Sequence, residues 1–198
     1  MPGFPLTEKK TGPWSSALRL AMPKLLLAVA VGGLAGLAYA TSKNPLGLPG
    51  HKALLWIVPV LIARWVYGCW GSGIVGATAT AAVAMAFGQD FAGSRMFLPL
   101  VLLAGAALDA TVAVTRDWRL RWWAAIPLAA LGGLVANLLC FVHRLLGPLH
   151  PKHSFLNIPG AKGFLLSYAL FGLLSGLIGA ALAIIILAPW KRSKKTQP

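Results

Sequence analysis

The chain has 198 residues, of which 58% are hydrophobic and only 11% charged, and its mean hydropathy is +0.74. A soluble domain covers itself with roughly 25% charged residues, so this composition excludes an ordinary soluble globule and implies a surface turned to hydrocarbon. Lys and Arg number 18 against 4 Asp and Glu, a formal net charge of +14. The basic residues nevertheless sit in short clusters between apolar runs, the pattern of membrane-topology signals and not of a nucleic-acid-binding face.

A membrane-crossing helix needs about 20 mostly apolar residues. Taken in chain order, residues 1–22 form a basic N-terminal segment, 23–190 an all-α transmembrane domain of six helices, and 191–198 a basic tail. The first span is Pro23 to Ala40. Its end, Ala38-Tyr39-Ala40, also fits a signal-peptide cleavage site after an apolar core, so removal of that segment stays open. The apolar stretch from Ala53 to Gly88 is too long for one span, and Gly68, Gly71 and Gly73 offer a hairpin that divides it into 53–68 and 70–88. Phe97 to Val114 is the fourth span, Trp122 to Leu146 the fifth and Phe164 to Trp190 the sixth. Cys69 and Cys140 lie in apolar runs without metal-type spacing and read as small hydrophobes.

Orientation follows from the flanks. With the N-terminus inside, Lys9, Lys10, Arg19, Lys24, Arg116, Arg119, Arg121 and the cluster Lys191, Arg192, Lys194 and Lys195 share the inner side. The outer side holds fewer: Lys43, Lys52, Arg95, Arg144, Lys152 and Lys162. The positive-inside rule then places both termini in the cytoplasm and the chain in the plasma (inner) membrane as a multi-pass protein.

Arg64 and Asp109 are the ionisable residues deepest in the apolar runs. Counted at about 1.5 Å per residue, both lie roughly 6–8 Å above the inner boundary, and intramembrane charges usually pair or face a cavity. An Arg64–Asp109 ion pair is expected, either as a structural salt bridge or as a coupling element or proton site. Small residues recur at four-residue spacing, Gly32 and Gly36, Gly172 and Gly176, and Ser175 and Gly179. Such spacing lets helix backbones approach closely, for packing inside the bundle or for docking a partner.

Polar and aromatic residues collect at the outer ends of the spans. Trp56, Asn137, His143, Ser167 and Tyr168 come from distant segments but share one membrane face, with Asn44, His51, Lys52, Gln89, Asp90 and Arg95 in the loops above. That mixture suits a small organic ligand. His150-Pro151-Lys152-His153 invites a metal reading with His143, but no carboxylate lies near it and the intervening Pro and Lys suit no tight site. No metal and no cofactor are expected. Nothing has the spacing of a hydrolase, a phosphate loop or a zinc-protease helix, so an enzyme is not expected either.

Three segments carry a family resemblance. The hairpin Pro59-Val60-Leu61-Ile62-Ala63-Arg64-Trp65-Val66-Tyr67-Gly68-Cys69-Trp70-Gly71-Ser72-Gly73-Ile74-Val75-Gly76, the helix Leu103-Ala104-Gly105-Ala106-Ala107-Leu108-Asp109, and the stretch Tyr168-Ala169-Leu170-Phe171-Gly172-Leu173-Leu174-Ser175-Gly176-Leu177-Ile178-Gly179 resemble the substrate-binding S components of energy-coupling factor transporters. The resemblance loosely covers residues 20–190. Cys69 and Trp70 depart from it where that hairpin often has proline after glycine, and the Met-His start of its metal-specific branch is absent. The resemblance implies a small-molecule carrier that captures a vitamin-like micronutrient on its outer side. It further implies association with a transmembrane coupling subunit and cytoplasmic ATPases, docked on the small-residue faces of the first helices. The other reading is a non-catalytic accessory or assembly subunit of a larger membrane complex.

Overall fold

The computed structural model of the chain describes residues 13–42, 50–89, 91, 98–115, 122–145, 154–155 and 158–193. These residues form six helices: α1 (Pro13–Thr41), α2 (Ala53–Tyr67), α3 (Ser72–Ala86), α4 (Leu98–Thr115), α5 (Trp122–Leu145) and α6 (Gly160–Ser193). A two-residue antiparallel pair, β1 (Ser154–Phe155) and β2 (Ile158–Pro159), sits at the head of α6, with Ser154 opposite Pro159 and Phe155 opposite Ile158. The architecture is otherwise all-helical.

Helix limits differ from the apolar runs where polar residues are good helix formers. α1 begins at Pro13 and carries Pro23 inside it, so the expected boundary at residue 22 falls within a helix. α6 likewise continues past Trp190 to Ser193. Segments long and apolar enough to cross a membrane are Ala21–Thr41, Ala124–Val142 and Gly160–Leu187. α2, α3 and α4 are apolar but shorter, Ala53–Val66, Ser72–Ala86 and Pro99–Val114. Fifteen residues reach only about 22 Å, less than the roughly 30 Å hydrocarbon layer. Left-handed glycines bound these short helices: Gly50 (φ 78) before α2, and Gly68 (φ 63) and Gly71 (φ 87) between α2 and α3.

Around the bundle the helices follow the order α1, α3, α4, α5, α6, α2, and α2 touches all five others. α1 and α3 are parallel, since Gly32 meets Gly76 and Gly36 meets Thr80. The remaining neighbours in the α3–α4–α5–α6 series run antiparallel, which brings the start of α1 and the end of α6 to the same end. That end is here called the terminal end, and the other the distal end. α2 is the most enclosed helix: Trp56, Ile57, Val60 and Leu61 are buried, while α1 and α6 expose Leu26, Leu34 and Ile185.

Close approach rests on glycine. A Cβ on Gly36 would lie 2.6 Å from the Thr80 carbonyl oxygen, and one on Gly32 would collide with the Gly76 backbone. Gly172 packs on Gly133 and Leu134, Gly176 on Ala129 and Ala130, and Gly179 on Leu61 of α2. The five glycines read as packing or docking residues thus all face neighbours within the bundle. Between α1 and α3, the Thr80 hydroxyl donates toward the carbonyls of Gly32 (3.0 Å) and Gly76 (2.9 Å).

Candidate functional site

Two polar constellations stand out, one at each end. At the terminal end, the last turn of α2 presents Arg64, the C-terminal half of α4 presents Asp109, and both are buried, at 4% and 0% exposure. Arg64 Nε lies 2.7 Å from Asp109 Oδ1. The carboxylate does more than balance a charge. The N-cap of α3 is Gly71, whose left-handed backbone suits glycine and which therefore has no side chain to cap the helix. Asp109 performs that task from α4: its Oδ1 accepts from the Gly73 N–H and its Oδ2 from the Ile74 N–H, each at 3.1 Å.

These are the second and third residues of α3, the donors an N-cap side chain normally satisfies, and an anion is favoured there by the helix dipole. Gly73 makes room, because a Cβ there would lie 2.6 Å from the Gly105 carbonyl oxygen and 3.0 Å from Asp109 Cγ. The turn itself is closed by Ser72 Oγ donating to the Cys69 carbonyl at 2.8 Å and by Gly68 N–H donating to the Arg64 carbonyl at 3.0 Å. Trp70, exposed on the turn, has its ring centroid 6.0 Å from the Arg64 guanidinium carbon. One carboxylate therefore ties α2, α3 and α4 together.

The distal end gathers aromatic rings around amides and a cation. Trp56, Asn137, Ser167 and Tyr168 are all buried here. Asn137 Nδ2 donates to the Tyr168 carbonyl at 2.7 Å and reaches the Gly50 carbonyl at 3.5 Å. Tyr168 stacks at a tilt on Phe141, with centroids 5.1 Å apart. On the other flank Trp56 meets Phe91 edge-to-face at 5.3 Å, and Phe91 meets Tyr39 at 5.1 Å.

The turn Gly50-His51-Lys52 joins the two flanks. Gly50 lies directly on Tyr168, so that a Cβ would be 3.0 Å from its Cα. His51 meets Phe171 edge-to-face at 6.2 Å. Lys52 Nζ donates to the Tyr39 carbonyl at 3.1 Å and sits 4.7 Å from the Tyr39 ring centroid. Partial burial lowers the Lys52 pKa below the ordinary lysine value.

Of the residues expected from sequence, the structure brings Arg64 to Asp109, and Asn137 to Tyr168, and puts Trp56 and Ser167 in the same distal layer. His143 belongs to α5, and its side chain lies outside the described residues, as do His150 and His153 altogether. Among the described residues no group of three or more His, Cys, Asp or Glu could hold a metal. Sequence reasoning missed Tyr39, Phe91 and Phe141 as members of the distal cluster, and Asp109 as the cap of α3. A glycine N-cap with no acidic residue in the first turn of α3 was the available signal for the latter.

Compared with known protein families, with curated proteins and with solved structures, the chain finds no match.

Proposed function

We propose that the chain is a membrane-embedded substrate-binding subunit for uptake of a small, vitamin-like molecule, comparable to the S components of energy-coupling factor transporters. In this reading all six helices lie in the bilayer, both termini are cytoplasmic, and the distal end faces outward. The reading assigns no catalytic residue and no cofactor. Transport energy would come from a transmembrane coupling subunit with cytoplasmic ATPases.

The observation that carries it is the distal layer. Rings from α1, α2, α5 and α6 and the Phe91 segment surround Asn137 and the Gly50–Lys52 turn at one end of the bundle. Apolar walls with a few convergent polar groups are the usual make-up of a small-ligand site. The glycines of α1 are taken up by α3, so a coupling partner would meet the exposed apolar flank of α1 at Leu26 and Leu34 instead.

A second reading, a non-catalytic accessory or assembly subunit, is favoured by a different observation. Trp56, Asn137 and Ser167 are almost wholly covered by protein, as packing residues are. Native mass spectrometry of the chain released from mild detergent separates the two. A small molecule at one per chain, lost in Trp56→Ala and Tyr168→Ala variants that still fold by circular dichroism, supports the carrier. A bare chain, or one accompanied by a stoichiometric membrane protein without any ATPase, supports the accessory subunit.

A further inference from the structure

We infer that the Gly50–Lys52 turn recognises an aromatic organic anion, with Lys52 as its counter-charge and the neighbouring rings as its bed. The inference rests on the carrier reading and specifies the class of molecule that site would take.

Three observations lead there. The Lys52 ammonium has three donors, of which the Tyr39 carbonyl takes one and the Tyr39 ring faces the cation. Among the described residues the sole carboxylate is Asp109, at the opposite end of the bundle and engaged there by Arg64 and two backbone N–H groups. Lys52 is thus a partly buried cation with no counter-ion among the described residues. A charge drawn partly out of water is costly unless paired.

The local backbone reinforces the same sign. Lys52 is the N-cap of α2, with no side-chain cap bond and no acidic residue in the first turn. A lysine at a helix N-terminus opposes the dipole of α2, and its ammonium is turned instead to the Tyr39 carbonyl in the last turn of α1, where a cation is favoured. An arriving anion is attracted by Lys52 and by the helix end together. His51 adds a polar ring beside it, edge-to-face with Phe171.

The rings then select the rest of the ligand. Tyr39, Phe91 and Trp56 form a continuous series of edge-to-face contacts leading inward from Lys52. Edge-to-face walls favour a further flat ring over an aliphatic chain. Asn137, whose Nδ2 is held by the Tyr168 carbonyl and reaches that of Gly50, fixes the turn against α6 in the same layer.

The test uses the full chain in detergent and three probes of one shape and different charge: benzoate, benzamide and benzylammonium. Binding is followed by tryptophan fluorescence and by the shift of the thermal midpoint. Benzoate is expected to bind about ten-fold tighter than benzamide, a difference of about 1.4 kcal/mol, with benzylammonium weakest. Lys52→Gln should erase the benzoate preference, and Lys52→Arg should keep it, which guards against a variant that merely misfolds. Equal binding of benzoate and benzamide, no binding of any probe, or a preference that survives in Lys52→Gln overturns the inference. A neutral or cationic molecule found bound at one per chain by mass spectrometry also overturns it, yet leaves the carrier reading standing.

Discussion

The Arg64–Asp109 contact lends itself to a quantitative test, because three partners converge on one carboxylate. Removing one member of a buried pair costs about 3–5 kcal/mol, since it strands the other charge in a medium of low polarisability. Arg64→Gln leaves the Asp109 carboxylate its two backbone donors on α3, which places that variant near the low end, at about 3 kcal/mol. Asp109→Asn strands the guanidinium and also leaves a single amide oxygen for the two N–H groups of Gly73 and Ile74. An unsatisfied buried donor adds about 1–3 kcal/mol, so this variant should lose about 5 kcal/mol. The double variant carries no buried charge and should lose only about 2–3 kcal/mol, far less than the two single losses together. Reversible unfolding by SDS in mixed micelles, followed by circular dichroism, measures all four proteins. A double variant within about 0.5 kcal/mol of additivity would refute the pairing. The exchanged pair, Arg64→Asp with Asp109→Arg, is a stricter control. It restores the charges but points a cation at the N-terminus of α3, so it should not recover stability, and full recovery would refute the capping role.

Other consequences are simpler to check. Gly32→Ala should destabilise by about 1–3 kcal/mol because its methyl meets the Gly76 backbone. The adjacent Gly33→Ala, whose nearest neighbour would be Val83 at 3.8 Å, should be neutral or slightly stabilising by the helix propensity of alanine, about 0.5–1 kcal/mol; equal effects in the SDS titration would refute the α1–α3 packing. Thr80→Val retains shape but removes the hydroxyl shared by the Gly32 and Gly76 carbonyls, for a loss of about 0.6–1.7 kcal/mol, and a neutral result would show that the bond contributes nothing. Cys69, half-exposed on the α2–α3 turn, should react with a membrane-impermeant maleimide in inside-out vesicles, while buried Cys140 reacts only after unfolding. Labelling of Cys69 from the outside would reverse the proposed orientation.

The two charges illustrate how the ends of the molecule differ in character. The terminal end is closed by an internal anion, Asp109, that already satisfies both a cation and a helix N-terminus. At the distal end a cation and a helix N-terminus meet with no such internal anion among the described residues. Among the described residues the device is complete at the terminal end and lacks its anion at the distal end, which is why the proposed ligand recognition is placed there.

Six apolar runs, the hairpin at Gly68–Gly71 and the shared depth of Arg64 and Asp109 were legible in the amino-acid order. Apolar run length and chain counting report position along the helix axes, because a helix advances by a constant rise. Position around the bundle is another matter. That α1 lies against α3, that α2 is enclosed by all the others, and that Gly176 meets Ala129 while Gly179 meets Leu61 depend on pairwise fit. Helices rich in Ala, Gly and Leu present nearly equivalent surfaces, so many pairings look alike until the backbones are brought together. Asp109 shows the limit most clearly: its depth could be counted from the sequence, but its role as the cap of a helix that lacks a capping side chain emerged only when α4 was seated against α3.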